Sequence, residues 1–201
     1  LLDTKTKNML SLKNSLAVLK KTDALLEGHF VLSSGLHSPQ YVQCAKLLSK
    51  PNHAEKFISS LATKIKRNIK SVDVILSPAM GGVIIGYEIG RLLKKETIFC
   101  ERVNKKFKLR RGFNIKKRAK VLIVEDVITT GKSSLECVRL IKRFGGKFVG
   151  IACLIDRSKK LRISKKIISQ VKLDIPVYKG NKLPTNLKNI HITKPGSRYL
   201  R

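Results

Sequence analysis

The sequence predicts an α/β protein with a central, mostly parallel sheet flanked by helices. Two observations predict it. Between Val72 and Ile155, short apolar runs rich in β-branched residues alternate with stretches of helical period, in the order strand, helix, strand, loop, strand, helix, strand. The strand candidates are near-continuously apolar rather than alternating, which is the pattern of strands buried on both faces and joined by crossovers.

Taken in order, Leu10–Leu26 carries Leu12, Leu16, Leu19, Leu25 and Leu26 at helical spacing, with Ser11 as a cap. "GHFVLSSGLHSPQYVQC" (Gly28–Cys44) reads as two extended pieces around a Ser-Ser-Gly turn, a hairpin. Pro51–Asn68 is a helix with proline near its start, where the missing N–H does no harm. "VDVILS" (Val72–Ser77) is a strand, Pro78–Gly82 a turn, and Val83–Lys95 a helix. Thr97–Glu101 is the next strand, followed by a long polar loop that separates it from Lys120–Val124, expected as its sheet neighbour. A helix from about Ser133 to Phe144 stops at Gly145-Gly146, and Phe148–Ile155 is a further strand. The C-terminal part, with "IPVYKG" and "IHITKPGSR", reads as an irregular flap. Ligands of such sheets bind beyond the carboxyl ends of the strands, so Pro78–Gly82, Glu125–Ser133 and Asp156-Arg157 are expected on one rim.

The 201 residues are read as one domain spanning 1–201: a hood segment over about 10–69, a core over about 70–158, and a C-terminal cap over about 159–201. Apolar content of 42% excludes a disordered chain, and no apolar run is long enough to span a membrane. The N-terminal stretch lacks the pattern of a secretory signal, so a cytoplasmic protein is expected. Cys44, Cys100, Cys137 and Cys153 are far apart, as buried thiols of a reducing compartment would be, and the four histidines lack metal-ligand spacing. Lys and Arg number 43 against 13 Asp and Glu, a net charge of +30 that attracts polyanions. The lysines are dispersed and aromatics are few, so nucleic acid is not the expected partner.

The chemistry concentrates in "VLIVEDVITTGKSS" (Val121–Ser134). Its Thr-Thr-Gly-Lys-Ser loop is not a nucleotide-hydrolysing P-loop: five residues before Gly131 stands Asp126, not the required glycine. Amides from Thr129 to Ser133 at a helix start instead form a pocket for one terminal phosphate, strengthened by the helix dipole and hydroxyls. Glu125 and Asp126, just before it, accept hydrogen bonds from hydroxyls. Phosphate at one end and a cis-diol in the middle describe a ribose 5-phosphate. A second anion site is "SPAMGG" (Ser77–Gly82), whose small residues permit close backbone approach. The third element is "ERVNKKFKLRRGFNIKKR" (Glu101–Arg118), the densest positive run in the chain.

These stretches resemble the type I phosphoribosyltransferases, which bind phosphoribosyl pyrophosphate (PRPP). The resemblance implies that family's fold, with a small hood formed by the N- and C-terminal segments. It implies that Glu125 and Asp126 hold the ribose hydroxyls and that Asp126, Val127, Ile128, Thr129, Thr130, Gly131, Lys132 and Ser133 wrap the 5-phosphate. It places the pyrophosphate loop, with its cis peptide, at Ala79, Met80, Gly81 and Gly82. Mg²⁺ is implied as a cofactor carried mainly on substrate rather than on protein ligands. The basic run matches the catalytic loop that reaches across a homodimer interface, with Arg102 and Lys106 matching best and Lys105, Lys108, Arg110 and Arg111 also candidates. Cations closing over a departing pyrophosphate stabilise the transition state more than the ground state. With Asp126, Arg102 and Lys106 are the implied catalytic residues. Many members carry a histidine in this loop, and this chain has none there.

The acceptor is read from other segments. "LLEGHFVLSSGLHSPQYVQC" resembles the hood of the orotate phosphoribosyltransferases: Phe30, Leu32, Ser34, Gly35, Ser38 and Pro39 fit its pattern and Tyr41 supplies the aromatic. Many of those enzymes have lysine where this chain has Ser33. "CLIDRS" (Cys153–Ser158) also matches, implying that Arg157 grips the orotate carboxylate, a task suited to a planar bidentate fork. Thr129 matches an orotate contact, and "KPGSR" (Lys194–Arg198) resembles the C-terminus of a bacterial branch. Tyr41, Thr129 and Arg157 are thus the orotate-binding candidates.

Overall fold

In the computed structural model, which describes residues 9–32, 34–159, 161, 163 and 165–195, the first helix is shorter than its leucines predict. Helix α1 (Leu12–Lys21) starts at Ser11, whose hydroxyl accepts the Asn14 N–H at 3.1 Å. It ends where Thr22 turns its hydroxyl back onto the Val18 carbonyl and Asp23 takes a left-handed φ of 57°. Leu25 and Leu26 therefore belong to strand β1 (Leu25–Val31), not to the helix. β1 pairs antiparallel with β2 (His37–Val42), the expected hairpin, and two helices follow: the short α2 (Cys44–Leu48), which no periodicity announced, and the long α3 (Pro51–Asn68), which begins at its proline as expected.

The core alternates as predicted. Strand β3 (Val74–Pro78) leads into α4 (Gly81–Leu93), then β4 (Glu96–Val103). The segment read as a polar loop contains a strand, β5 (Lys106–Leu109), folded back antiparallel on β4. β6 (Lys120–Ile128), α5 (Lys132–Arg143) and β7 (Lys147–Asp156) follow, with Gly145 in left-handed conformation after α5. Beyond them lie β8 (Ile167–Lys172), α6 (Thr185–Lys188) and β9 (Ile192–Thr193). Of the segment expected to cap the molecule, β8 joins the edge of the large sheet and β9 pairs with β1. Ser33 and the end of "KPGSR" lie outside the described residues.

The large sheet runs β5-β4-β3-β6-β7-β8, parallel apart from β5, and β2-β1-β9 form a small second sheet. β4 and β6 are not neighbours as the sequence suggested; β3 lies between them. The crossover order reverses between β3 and β6, which makes their carboxyl ends the expected ligand crevice. Alternate residues serve opposite helical layers: Ile75, Leu122 and Val124 pack with Phe57, Leu61, Ile85 and Ile89 of α3 and α4, whereas Leu76, Ile123 and Cys153 pack with Cys137, Leu140 and Ile141 of α5. All four cysteines are buried and free. No described helix is long and apolar enough to cross a membrane.

Helix α4 lies close on the sheet through a stripe of glycines, and Gly86 shows why. A Cβ there would meet the buried Ser77 side chain, its Cβ at 3.0 Å. Alanine in a helix is ordinarily worth about 1 kcal/mol over glycine. Here the collision outweighs that gain, so Gly86→Ala is expected to destabilise the fold by about 1–3 kcal/mol in urea unfolding; an increase in midpoint would contradict this packing.

Candidate functional site

The rim is assembled by the ends of three parallel strands. β3 ends in Ser77-Pro78 and passes into a turn whose Ala79–Met80 peptide is cis. The Ala79 N–H donates to the Cys100 carbonyl of β4 at 2.8 Å, tying the turn to the sheet. Gly81 opens α4 directly against β6: a Cβ on it would lie 2.6 Å from Asp126 Oδ2. Only glycine lets the Ala79–Gly82 turn and the Asp126 carboxylate share this space.

Strand β6 carries both acids, and strand alternation sends them to different faces. Asp126 turns towards Gly81 and the α4 layer, where it is half-buried. Burial raises its pKa, opposed by backbone N–H groups of Val127 and Asp126 itself. Glu125 turns towards α5, is only 6% exposed, and accepts a short hydrogen bond from Ser134 Oγ. Burial is the main cause that lifts its pKa to about 7; the Ser134 hydroxyl lowers it, Asp126 raises it further, and Arg102 lowers it. Asp126 is thus the more open of the two carboxylates, while Glu125 lines the wall beneath.

After β6 the chain turns through the exposed Thr129 and Thr130 into Gly131, with φ 69°, which caps α5. The Thr130 hydroxyl accepts the Lys132 N–H at 3.4 Å. First-turn amides of a helix have no intrahelical acceptor, so those of Lys132 and Ser133 open towards the rim. Val127 and Ile128 are ladder residues of β6 with Ile128 buried, so they shape the approach from within the sheet.

β7 ends beside this loop. The Arg157 N–H donates to the Ile128 carbonyl at 2.8 Å, which sets Arg157 next to Thr129. Asp156, buried, accepts from both the N–H and the hydroxyl of Ser158 and so fixes the chain leaving the strand. Arg157 Nε is buried with no hydrogen-bond partner among the described residues. Burial pulls the guanidinium below its ordinary pKa, and the ring of Tyr41 beside it acts in the opposite sense. Tyr41 comes from β2 of the small sheet and packs on Phe30, ring centroids 5.7 Å apart. Strand β2, the turn before α5 and Arg157 therefore meet.

The basic candidates divide. Arg102 on β4 forms an ion pair with Glu136 of α5 at 3.0 Å, donates to the Lys105 carbonyl at 2.8 Å and lies 4.0 Å over the Phe107 ring. Arg111 is paired with Glu101 at 2.9 Å. Lys106 and Lys108 flank buried Phe107 on β5 and so project from the face opposite Arg102, exposed; Lys105 and Arg110 are exposed too. Arg102 and Lys106 are therefore not brought together. Ser134 and Glu136 escaped the sequence reading, although Glu136 is the only acid in α5, a lone negative charge in a basic helix.

A family model described as a phosphoribosyl transferase domain matches residues 45–184. The chain is 46% identical to the orotate phosphoribosyltransferase of Erythrobacter litoralis over 91% of this chain and 96% of that protein. It is 45% identical to that of Parvibaculum lavamentivorans, over 90% and 94%. A crystal structure of orotate phosphoribosyltransferase from Aeropyrum pernix superposes with a TM-score of 0.70 at 25% identity, covering 78% of this chain and 92% of that one. Adenine phosphoribosyltransferase from Thermoanaerobacter pseudethanolicus shares the fold at 20% identity, covering 67% and 88%, TM-score 0.59.

Glu125 has a consequence for stability. Its folded pKa of about 7 exceeds the ordinary 4.5, so between those values the folded chain keeps a proton that the unfolded chain releases. The stability this contributes is full below pH 4.5 and lost as pH rises to about 7. Glu125→Gln, permanently neutral, is expected to raise the melting temperature at pH 8 and to leave it unchanged at pH 4. An equal effect at both pH values would contradict the burial of this carboxyl as the cause.

Proposed function

The chain belongs to the type I phosphoribosyltransferases, in the orotate phosphoribosyltransferase branch, and on that premise we propose that it transfers the 5-phosphoribosyl group of PRPP to orotate. The products are orotidine 5′-monophosphate and pyrophosphate, a step of pyrimidine (UMP) synthesis. The observation that carries the choice of acceptor is the buried, unpartnered Nε of Arg157, next to Tyr41 and Thr129. A guanidinium nitrogen withdrawn from water requires an acceptor, and a planar carboxylate supplies one for two N–H groups at once. The orotate carboxylate meets it there, its ring against Tyr41.

The remaining residues divide the work of a displacement at the ribose anomeric carbon. Amides and hydroxyls of Thr129–Ser133 receive the 5-phosphate at the mouth of α5, with Val127 and Ile128 holding the loop in register. Asp126 accepts from the ribose hydroxyls, with Glu125 beneath it. Ala79–Gly82 present small residues and amides to the pyrophosphate. At the rim Asp126 offers a hard oxygen donor. A carboxylate of this kind fits Mg²⁺ held chiefly by substrate, which when bound would supply charge neutralisation at the pyrophosphate. As the glycosidic bond breaks, negative charge grows on the leaving group and positive charge on the sugar. Arg102 and Lys106 answer the first, and the orotate ring nitrogen attacks the second from the opposite face. No protein nucleophile is needed; positioning by two anion pockets and exclusion of water by the hood do the work.

The same reading includes a homodimer in the cytoplasm. Met80, Ile84 and Tyr87 lie on one exposed flank of α4, 85%, 59% and 67% accessible, an apolar face suited to a second copy. Lys106 and Lys108 are exposed on an edge strand, which supports their reaching a partner's site.

With PRPP and Mg²⁺ the protein is expected to turn over orotate and not adenine, hypoxanthine or guanine; turnover of a purine alone would overturn the proposal. Arg157→Ala is expected to raise the KM for orotate on the order of a hundredfold, as loss of one partner of a buried charge pair does, with the KM for PRPP little changed. Equal increases in both would remove Arg157 from the carboxylate.

A further inference from the structure

One carboxylate holds both strands of the basic hairpin. Glu136 Oε2 pairs with Arg102 of β4, and Glu136 Oε1 accepts the Phe107 N–H of β5 at 2.7 Å. Arg102 is thereby held from three directions: the Glu136 carboxylate, the Lys105 carbonyl in the turn of its own hairpin, and the face of Phe107. Phe107 is buried in the core layer that contains Cys137 of α5, so the seat under Arg102 is rigid. The Glu136 side chain is itself only 17% exposed. Arg102 lies two residues beyond Cys100, whose carbonyl accepts the Ala79 N–H at 2.8 Å, so β4 brings it out at the rim beside the Ala79–Gly82 turn.

Helix α5 thus carries the phosphate loop at its start and, one turn along, the anchor of the hairpin. We propose that Glu136 is a positioning residue: it aims Arg102 at the pyrophosphate end of the site and keeps the hairpin in register with the phosphate loop. The inference rests on the reading of the site as a PRPP pocket. Its chemistry is that of a cation whose side-chain entropy is removed before substrate arrives. A long, free arginine at 40% exposure would sample many rotamers, whereas one fixed by a carboxylate, a carbonyl and a ring is already oriented. Pairing with Glu136 leaves other N–H groups of the planar fork to meet phosphate oxygens.

The test is a double-mutant cycle on the whole enzyme, assayed with orotate, PRPP and Mg²⁺. Glu136→Gln keeps an acceptor for the Phe107 N–H and loses the ion pair. It is expected to lower kcat by about tenfold to a hundredfold, the scale of a misplaced catalytic group, with the KM for orotate unchanged. In an Arg102→Met background the same substitution is expected to cost nothing further, because Glu136 acts through Arg102. A wild-type kcat for Glu136→Gln, or a loss that multiplies onto that of Arg102→Met, overturns the inference. Should Glu136→Gln fail to fold, Arg102→Lys is the second probe: it keeps the charge without the planar fork and is expected to show the same kcat-specific loss, and full activity in it overturns the inference. A wild type inactive on orotate would instead overturn the underlying reading of the site, so the two failures are distinct.

Discussion

Everything at the rim depends on how strand β6 accommodates two consecutive carboxylates at its carboxyl end. An extended strand buried on both faces cannot point neighbouring side chains the same way. Glu125 therefore enters the α5 layer, where the Ser134 hydroxyl meets it, and burial lifts its pKa to about 7. Asp126 enters the α4 layer, where a glycine, Gly81, is needed to make room. The two helices are thus tied to the same strand end through one acid each. The placement of the turns that begin α4 and α5 is thus a property of β6 rather than of either turn.

Helix α5 extends the same logic. Its first turn opens at the rim, and its only acid, Glu136, recruits a cation back towards that end of the molecule. The net charge of +30 makes such recruitment selective: cations are abundant on this surface, and carboxylates are scarce enough that each one decides which cation is fixed. Arg102 and Arg111 are fixed by Glu136 and Glu101; Lys106 and Lys108 are exposed on the other face of β5. The basic segment is therefore two populations, one held by carboxylates and one exposed.

Much of this was legible in the chain. The apolar runs located β3, β4, β6 and β7, Pro51 marked the start of α3, and Gly145 marked the stop of α5. What escaped has physical reasons. Leu25 and Leu26 continue a helical spacing, but Asp23 turns left-handed and hands them to β1. β5 hides because Lys106 and Lys108 alternate with Phe107 and Leu109 inside a charge run, and only pairing with β4 reveals a strand. β8 is an edge strand separated from the pattern by a polar stretch. The insertion of β3 between β4 and β6 is a matter of topology, to which local sequence is blind. At the site, residue types located the turn between β6 and α5 and the two acids before it, yet the opposite orientation of Glu125 and Asp126 follows only from seeing that β6 stays extended through Ile128.

The central claim is that one strand end and two helix starts hold a phosphorylated pentose between them. A crystal structure of the protein soaked with PRPP and Mg²⁺ tests it most directly. The account predicts the 5-phosphate against the amides of residues 129–133, the ribose hydroxyls at Asp126 and the pyrophosphate along residues 79–82. Density for the 5-phosphate anywhere else on this basic surface, with that loop empty, would contradict it.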